Sequence, residues 1–378
     1  MTFDGDNEIG EGTIFMTRDQ LEALAHASDL AHYLVVLEGT VPGKRLEIGA
    51  DAITIGRAAG QVLVCDDREL SRQHARVRLV QGAVVVEDLN STNGVFVNKA
   101  RISGAVTLKD GAVIRLGAQL LKYERRSRED VRKAQELERD IRRASDYVLS
   151  LLPAPIADGP VLAEWRFVPS AQLGGDAFGY YWLEPNTFVF YLVDVSGHGA
   201  GSAMHSVSVL NVLRQRALPG VDFRNPAQVL ASLNDRFPMS DHNGLYFTMW
   251  YGVYDTATRV LSYGTAGHGP AILVQSDKST TERLGMSALM IGMLPGQTYE
   301  VQQTTVPPAS TLFLFSDGAY EIETKKGEQW DLDAFVPVLT AASTPGITEP
   351  ERVYQTIRTV VKAEPLEDDF SLVALTFV

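Results

Sequence analysis

Residues 187–195 read TFVFYLVDV and are followed by the glycine-rich turn SGHGAG. The run is short, apolar and rich in β-branched and aromatic residues, so it predicts a buried strand, which Asp194 closes. Asp317 closes a second apolar run, TLFLFSD, in the same way, whereas Asp368 comes shortly before the run SLVALTFV. In an antiparallel sheet the end of one strand lies beside the start of its neighbour. We therefore expect these carboxylates to meet at one edge, together with Asp176 of the segment LGGDAFGY.

Such a cluster of carboxylates needs positive charge, because unpaired acids repel one another and raise one another's pKa values. Hard divalent cations prefer carboxylate and water oxygens, so a metal centre explains the set better than capping of separate turns. Two cations about 3.5 to 4 Å apart can lower the pKa of a bridging water and direct it at phosphorus. The expected nucleophile is then a metal-activated water, and no catalytic side chain is predicted.

Other phosphoryl chemistries lack their signatures in this sequence. It contains no P-loop, no HEXXH motif and no cysteine near an arginine, as thiol phosphatases would require. The single cysteine, Cys65, lies in the run VLVCDD, where a small buried hydrophobic residue is expected.

Downstream of Pro153, strand-like and helix-like segments alternate, which predicts an α+β or layered α/β domain over residues 153–378. Residues 124–152 contain no Gly or Pro and predict one long helix that ends before Pro153. The apolar residues of this helix form one stripe: Leu137, Ile141, Ala144, Val148 and Leu151. The stripe can pack on the neighbouring domain or pair with a second copy in a homodimer, and its short length leaves both alternatives open.

Upstream, residues 30–123 break into short β-rich runs separated by Gly, Asn and Asp at intervals of roughly ten residues. This pattern is typical of an all-β sandwich. Residues 1–29 are acidic and mostly patternless, so a flexible arm is expected there. The predicted fold class is therefore multi-domain: an N-terminal all-β sandwich, a helical linker and a C-terminal α/β domain.

The net charge of −13 is unevenly distributed. Residues 1–29 hold one Lys or Arg and seven Asp or Glu, residues 30–123 hold twelve and nine, and residues 147–378 hold thirteen and twenty-four. A mildly basic module next to a strongly acidic one indicates an anion-reading part and a cation-binding part. So acidic a chain disfavours nucleic acid as a partner.

Features of export and membrane insertion are not visible in the sequence. The apolar runs are far shorter than the ~20 residues that cross a bilayer, and the N-terminus lacks the basic start and apolar core of a signal peptide. A single cysteine excludes an intramolecular disulfide and fits a reducing compartment. We therefore expect a cytoplasmic protein with no membrane partner.

Three short motifs lie between the β-rich runs: Gly56-Arg57, LSRQHA at residues 70–75 and DLNSTNG at residues 88–94. A phosphate dianion needs a guanidinium for charge and hydroxyl or amide donors for geometry. The motifs supply residues of that kind: Arg57, Ser71, Arg72 and Thr92. Ordinary turn formation explains any one of these motifs better, but three in register favour a phosphate site.

In this order and spacing the motifs resemble the forkhead-associated (FHA) domain over residues 30–123. The resemblance implies binding of a phosphothreonine-containing protein, with the four residues above at the phosphate and Asn93 holding the ligand's backbone. His74 matches the family's loop-supporting histidine, so a structural role is expected for it.

The acidic domain resembles a SpoIIE-type phosphatase, a bacterial branch of the PPM (protein phosphatase 2C-like) family, over residues 145–378. The resemblance rests on segments in sequence order: LLPAP, LGGDAFGY, VDVSGHGAGSAM, YFTMWYGVYD, YGTAGHGPAILV, LFSDGAYEIE and DDFSLVALTF. It implies a four-layer α-β-β-α sandwich, two divalent cations (Mn or Mg) and hydrolysis of phosphoserine or phosphothreonine in proteins.

The family's metal ligands can be carried over by motif. Asp194 then bridges both metals and the Val195 carbonyl assists. The remaining ligands are Asp176, Asp317 and Asp368, and Asp369 can trade places with Asp368.

Three features of the sequence bear on this resemblance. Members often carry a second acid three residues after the GGD aspartate, and this position is Gly179 here, so an altered outer shell of one metal is expected. His198 and His268 lie in glycine-rich turns, where a structural role is expected rather than acid-base catalysis. GGDAF is also similar to the GGDEF signature of diguanylate cyclases, but the following glutamate is missing.

The sequence therefore predicts a metal-dependent serine/threonine protein phosphatase that an FHA domain regulates or targets, in a bacterial phospho-signalling or partner-switching pathway. Resemblance makes phosphorylated STAS-type anti-sigma antagonists the leading substrate class. The alternative is a non-enzymatic phosphopeptide-binding adaptor with a degenerate phosphatase fold.

Overall fold

The computed structural model describes residues 30–362 and 365–378. The acidic arm predicted for residues 1–29 lies outside the described residues. The chain forms two compact units that divide between Glu138 and Arg139.

The N-terminal unit is built from short strands in two sheets. The strands are β1 (Leu30–Glu38), β2 (Arg45–Glu47), β3 (Ile53–Gly56), β4 (Leu63–Val64), β5 (Ala75–Val80), β6 (Ala83–Asp88), β7 (Val95–Val97), β8 (Ala100–Arg101), β9 (Val106–Thr107), β10 (Val113–Leu116) and β11 (Gln119–Ser127). Their orders are β2-β1-β11-β10-β7-β8 and β4-β3-β5-β6-β9.

A single apolar core lies between these sheets. Ala75 and Val77 of β5 and Val84 and Val86 of β6 are buried in it, and the residues between them are more exposed. Alternation with a period of two is what a strand with one buried face requires. The predicted all-β sandwich is confirmed.

The long helix α1 spans Arg128–Leu151. The prediction of a helix over residues 124–152 is wrong at its start, because residues 124–127 belong to β11. There Glu124 pairs with Tyr33 and Ser127 pairs with Leu30 of β1. The partner strand satisfies the backbone groups of this segment, which outweighs the helix preference of its Glu and Arg residues.

Ser127 then starts the helix, since its side-chain oxygen accepts the backbone N–H of Asp130 at 3.2 Å. Such an N-cap satisfies one of the free donors of the first turn. Further along α1, Val148 is buried against Leu173 and Ala203. Leu137, by contrast, is 61% exposed. Within the predicted apolar stripe, Val148 therefore packs on the C-terminal unit, whereas Leu137 stays exposed.

The C-terminal unit alternates strands and helices. Its strands are β12 (Val161–Val168), β13 (Ala177–Glu184), β14 (Thr187–Val195), β15 (Phe247–Asp255), β16 (Val260–Ala266), β17 (Ala271–Val274), β18 (Thr281–Leu284), β19 (Gln302–Thr305), β20 (Ser310–Phe315) and β21 (Phe370–Phe377). Its helices are α2 (Ala200–Arg214), α3 (Pro226–Arg236), α4 (Leu332–Thr340) and α5 (Glu349–Val360), with 3₁₀ turns at Met239–Asp241 and Asp317–Ala319.

These elements stack in four layers. Sheet I has the order β12-β21-β20-β17-β18, and sheet II has the order β13-β14-β15-β16-β19. An aromatic-rich core that includes Phe190, Trp250 and Phe377 fills the space between the sheets. Helices α2 and α3 bury their apolar faces on sheet II, and α4 and α5 bury theirs on sheet I. The predicted α-β-β-α sandwich is confirmed.

Local chemistry sets where the helices begin. Asn225 caps α3 by accepting the N–H of Ala227 at 3.1 Å, and Pro226 fits the first turn, where its missing N–H costs nothing. Thr348 caps α5 in the same way, with Pro350 in the first turn. None of the helices in residues 30–362 and 365–378 combines the length and the hydropathy that crossing a bilayer requires.

The register of both sheets places the aspartates at strand ends. In sheet I, Phe315 at the end of β20 pairs with Leu372 near the start of β21. In sheet II, Ala177 at the start of β13 pairs with Val193 near the end of β14. This is the antiparallel arrangement from which the sequence predicted a meeting of carboxylates.

Candidate functional site

Asp194 lies in the wall of a cavity of about 280 Å³. It is the next-to-last residue of β14, and Val195, which ends the strand, lines the same cavity and pairs with Phe247. The turn after β14 contributes Ser196 and His198 to the lining. The apolar strand thus carries its one acid to the rim, where the glycine-rich turn opens space around it.

Two further predicted ligands, Asp317 and Asp368, line this cavity. Asp317 begins the 3₁₀ turn that follows β20. Asp368 is exposed, and its Oδ1 accepts the backbone N–H of Asp369 at 2.8 Å. Asp317 and Asp368 therefore belong to the same cavity wall as Asp194.

Asp176 is the fourth predicted carboxylate, and it is only 2% exposed. It immediately precedes β13, beside the end of β14. Its Oδ2 atom is buried and has no hydrogen-bond partner within the described part of the chain. A buried carboxylate oxygen without a partner is costly, so this atom calls for a cation or a proton.

Asp369 has a different environment from Asp368. Its Oδ1 accepts the backbone N–H and the hydroxyl of Ser170 at 2.8 and 3.0 Å, and its Oδ2 accepts the N–H of Gly175 at 2.6 Å. The side chain is 4% exposed. The segment before β13 thus engages both carboxylate oxygens of Asp369, which holds that segment in place. Asp368, by contrast, lines the cavity.

The glycines of LGGD are needed for close approach. A Cβ atom on Gly175 would lie 2.7 Å from the carbonyl oxygen of Val195, and one on Gly174 would overlap the carboxylate of Asp369. Real Cβ atoms do not approach other atoms this closely, so neither position has room for a side chain. The absence of side chains at these positions lets Asp176 approach the end of β14.

Burial and mutual repulsion shift the titration of the whole set upward. Burial, followed by the charges of Asp317, Asp368 and Asp369, raises the pKa of Asp194 to about 7. Burial and the Asp368 charge raise the pKa of Asp317 to about 6. Burial, Asp194 and Asp369 hold the pKa of Asp176 well above its usual range. No lysine or arginine charge opposes these shifts.

The donor set fits divalent cations in its chemistry. Four carboxylates and the Val195 carbonyl are hard oxygen donors of the kind that Mg²⁺ and Mn²⁺ prefer. Among the described residues, however, no group of three or more His, Cys, Asp or Glu side chains is arranged to hold a metal ion as it stands. Mg²⁺ keeps several water ligands in protein sites, so binding here would combine side-chain rotation with bridging water.

Sequence reasoning missed several residues of the cavity wall, among them Glu367 and Thr248. Glu367 adds an acid next to Asp368, and the run EDD was the signal for it. Thr248 pairs with Asp194 across β14 and β15, a relationship that only the register reveals.

His268 is held by two hydrogen bonds. Its Nδ1 is 2.8 Å from the Thr248 hydroxyl oxygen, and its Nε2 is 3.2 Å from the carbonyl oxygen of Phe315. Because that carbonyl can only accept, Nε2 carries the proton. Burial lowers the pKa of His268 to about 4, so the ring stays neutral and connects the sheets, as expected for a structural histidine.

His198 differs from this, because its exposed ring lines the cavity. Its charge opposes the upward shift that burial gives to the pKa of Asp368. His198 is therefore available to a ligand in the cavity.

Gly179, the position at which the resemblance led us to look for a second acid, does not line the aspartate cavity. It faces the side chain of Tyr191 on the neighbouring strand, and a Cβ atom there would overlap the Tyr191 hydroxyl. An acid at this position is incompatible with the present placement of Tyr191.

In the N-terminal unit, the structure brings the three motif loops together. Arg57 donates its backbone N–H to the Ser71 carbonyl at 3.0 Å, and the Thr92 N–H donates to the Ser71 hydroxyl at 3.1 Å. Arg57, Arg72 and Thr92 are exposed. The two guanidinium groups and the hydroxyls are thus presented to solvent by neighbouring loops.

His74 supports these loops from below, as expected. It is fully buried, its Nδ1 accepts the N–H of Ser71 at 3.1 Å, and its Nε2 lies 3.2 Å from the Gly94 carbonyl. Asn93 is exposed, and its side-chain amide donates to the Glu69 carbonyl at 2.7 Å. These bonds hold the loop bearing Ser71 against the loop bearing Thr92.

Comparison with known proteins gives two family matches. Residues 53–117 match the FHA domain, and residues 184–378 match Stage II sporulation protein E (SpoIIE). The phosphoserine phosphatase RsbP of Bacillus subtilis is 26% identical over 187 residues, which cover 48% of this chain and 45% of that protein. The FHA domain-containing protein FhaB of Mycobacterium tuberculosis is 39% identical over 87 residues, which cover 23% of this chain and 56% of that protein.

Among solved structures, the SiaA-PP2C domain of Pseudomonas aeruginosa matches with a TM-score of 0.57 and 20% identity. The match covers 66% of this chain and 100% of that one, and it shows a shared fold. The chain spans about half the length of the curated relatives named above. Since the SpoIIE match extends over more than half of the 378 residues, the chain belongs to the Stage II sporulation protein E (SpoIIE) family and carries an FHA domain in its N-terminal unit.

Proposed function

We propose that this chain is a metal-dependent serine/threonine protein phosphatase that its FHA domain targets or regulates. The observation that carries the proposal is the gathering of Asp176, Asp194, Asp317 and Asp368 from separate segments, with raised pKa values and, among the described residues, no lysine or arginine to neutralise them. Such a set is unfavourable unless it binds cations.

In this proposal the metal ligands are Asp194, the Val195 carbonyl and the other three aspartates. When bound, a pair of Mn or Mg ions supplies the positive charge that lowers the pKa of a water and stabilises the phosphoryl transition state. Asp176 is held behind the end of β14 by the glycines before it, and Asp369 fixes that loop. The protein itself then has to position ligands and substrate rather than to provide a nucleophile.

The substrate side of the cavity is formed by groups other than the aspartates. His198, Ser196 and Thr248 line it, and its volume of about 280 Å³ is enough for a phosphorylated side chain. We infer phosphoserine or phosphothreonine on a protein as the substrate, and STAS-type anti-sigma antagonists as the leading class. The similarity to a protein named phosphoserine phosphatase supports this inference.

For the N-terminal unit we propose binding of a phosphothreonine-containing protein through Arg57, Ser71, Arg72, Thr92 and Asn93. Two exposed guanidinium groups beside two hydroxyls match the charge and geometry of a phosphate dianion. The partner is therefore expected to be a kinase target or the kinase itself.

Two further proposals concern the setting of the protein. The first is a cytoplasmic location, because the free, buried Cys65 is compatible with a reducing compartment.

The second proposal is a homodimer through the linker helix. The surface for it includes Leu137 and Tyr147 of α1, which are 61% and 59% exposed. Sedimentation equilibrium of the wild type and a Leu137→Glu variant tests the second proposal, because only a dimer through this surface would be lost in the variant.

Phosphatase activity tests the main proposal. Purified protein should hydrolyse p-nitrophenyl phosphate and a phosphoserine protein in the presence of Mn, and Asp194→Asn should abolish both reactions. Asp158→Asn changes an exposed aspartate outside the cavity and serves as the matched control. Absence of metal-dependent turnover in the wild type would leave the phosphopeptide-binding adaptor as the function.

A further inference from the structure

A second cavity, of about 230 Å³, lies at the outer edge of sheet II. One wall is the edge strand β13, through Phe178, Gly179 and Tyr181. The facing wall is the end of α1 with Leu151 and the following Pro153. This cavity shares no lining residue with the aspartate cavity, so it is a separate site.

The inner part of this cavity holds an unsatisfied hydroxyl. Tyr191 is 1% exposed, lines the cavity, and its hydroxyl has no hydrogen-bond partner in the described parts of the chain. The space in front of the hydroxyl is kept open by Gly179, since a Cβ atom there would overlap it. A buried hydroxyl of this kind destabilises the fold unless a ligand or a water completes its hydrogen bond.

Two arginines at the end of α2 give the cavity positive charge. Arg214 donates to the Leu151 carbonyl at 3.1 Å, and the guanidinium of Arg216 lies 5.2 Å from the centre of the Tyr181 ring. No acidic side chain is among the described residues that line the cavity. The C-terminal end of a helix carries only about half a negative charge, so the two guanidinium groups dominate.

The backbone at Arg216 strengthens the case for a role of its side chain. Its φ of 53° is left-handed, and its N–H bonds the Leu213 carbonyl at the end of α2. Glycine is the favoured residue at such a helix end, because other side chains strain this conformation. An arginine that accepts the strain places its guanidinium over Tyr181.

Size and lining together define the ligand class. A cavity of about 150 Å³ accommodates benzene, so one of about 230 Å³ has room for one ring with a charged substituent. The walls are aromatic and apolar, which suits a ring, and a guanidinium pairs best with a planar carboxylate. Inorganic phosphate would leave the apolar walls without a contact.

We propose that this cavity binds a small monocyclic carboxylate, with its ring against Pro153 and Tyr181 and its carboxylate at Arg214 and the Tyr191 hydroxyl. Tyr191 and Arg214 both line this cavity, and Arg216 adds a second positive charge beside Tyr181. The site is independent of the phosphatase proposal, because it shares no residue with the aspartate cavity.

The test is a calorimetric titration of the full chain with benzoate, with benzamide and inorganic phosphate as probes that lack the charge or the ring. Benzoate should bind with a Kd of about 1 mM or tighter, and the other two at least about tenfold more weakly. Tyr191→Phe and Arg214→Gln should each weaken benzoate binding by about tenfold.

Matched controls separate the site from general effects. Tyr299→Phe removes another buried hydroxyl without a partner in the described chain, and Arg236→Gln removes an exposed arginine from the last turn of α3. Both should bind benzoate as the wild type does, and circular dichroism melts check that all variants fold. No saturable benzoate binding up to about 10 mM would overturn the proposal. Equal binding of phosphate, or unchanged affinity in Tyr191→Phe and Arg214→Gln, would overturn it as well.

Discussion

The carboxylate of Asp369 accepts the backbone N–H of Gly175 at 2.6 Å, although the two residues are 194 positions apart in the sequence. Asp369 directly precedes β21 of sheet I, and Gly175 lies just before β13 of sheet II. One hydrogen bond thus joins the two sheets at the edge where the aspartates gather. The bond explains why an acid that looks like a metal ligand in sequence is engaged by backbone instead.

The first prediction contrasts Asp369 with its neighbour. Asp369→Ala leaves the buried N–H of Gly175 and the hydroxyl of Ser170 without their acceptor, so the free energy of unfolding should fall by about 3 kcal/mol or more. Asp368→Ala removes an exposed carboxylate and should change the free energy of unfolding by less than about 1 kcal/mol while abolishing activity. Urea unfolding in EDTA measures both, and the reverse order of stabilities would contradict the assignment.

A second prediction concerns Gly175. In Gly175→Ala the new Cβ atom would lie 2.7 Å from the Val195 carbonyl oxygen, so that carbonyl must move and Mn affinity should drop by at least about tenfold. Gly201→Ala is the matched control, because nothing lies within 4 Å of a Cβ atom there. Calorimetric Mn titrations compare the two, and equal affinities would show that the Val195 carbonyl takes no part.

Metal-free stability should depend on pH through Asp194. Its folded-state pKa of about 7 lies above the usual value of about 3.9, so the folded state holds the proton more tightly than the unfolded state. Protonation of Asp194 therefore stabilises the folded state at low pH, and this contribution to the free energy of unfolding is lost as pH rises toward 7. Asp194→Asn removes that loss, and in EDTA its Tm should exceed the wild-type Tm by several degrees at pH 8.

The same comparison at pH 5 should show a smaller difference, because Asp194 is then mostly protonated in the folded wild type. Asp158→Asn, at an exposed position, should match the wild type at both pH values. A Tm gain that stays constant or shrinks from pH 5 to pH 8 would show that the raised pKa is wrong.

A fourth prediction addresses the N-terminal unit. Arg57→Ala should weaken binding of a phosphothreonine peptide by at least about tenfold, because it removes one of two guanidinium groups at the phosphate. Arg78→Ala, on the exposed face of β5, should leave the affinity unchanged. Fluorescence anisotropy measures both, and loss of affinity in Arg78→Ala alone would place the ligand elsewhere.

The sequence predicted the architecture well because its local patterns agree with the tertiary contacts. The apolar run that Asp194 closes becomes β14, and the alternating segments after Pro153 become the strands and helices of the C-terminal unit. The errors lie where a distant partner decides. Residues 124–127 look helical in isolation but pair with β1. That strand is distant in the sequence, so the local pattern around residues 124–127 cannot reveal the pairing.

The candidate site shows the same division. Residue type and strand-end position selected Asp176, Asp194, Asp317 and Asp368, and the structure places the last three in the wall of one cavity. They could not distinguish Asp368 from Asp369, because the difference depends on the loop around Gly175. The surroundings of Gly179 are likewise set by Tyr191 on the next strand, which no local pattern contains.

Counting bound metal tests the central claim most directly. Equilibrium dialysis against Mn, followed by elemental analysis, should find two ions per wild-type chain and two in Asp158→Asn, but at most one in Asp194→Asn, where a proposed ligand is lost. A wild-type protein that retains no Mn, or an Asp194→Asn variant that retains as much as the wild type, would contradict the account.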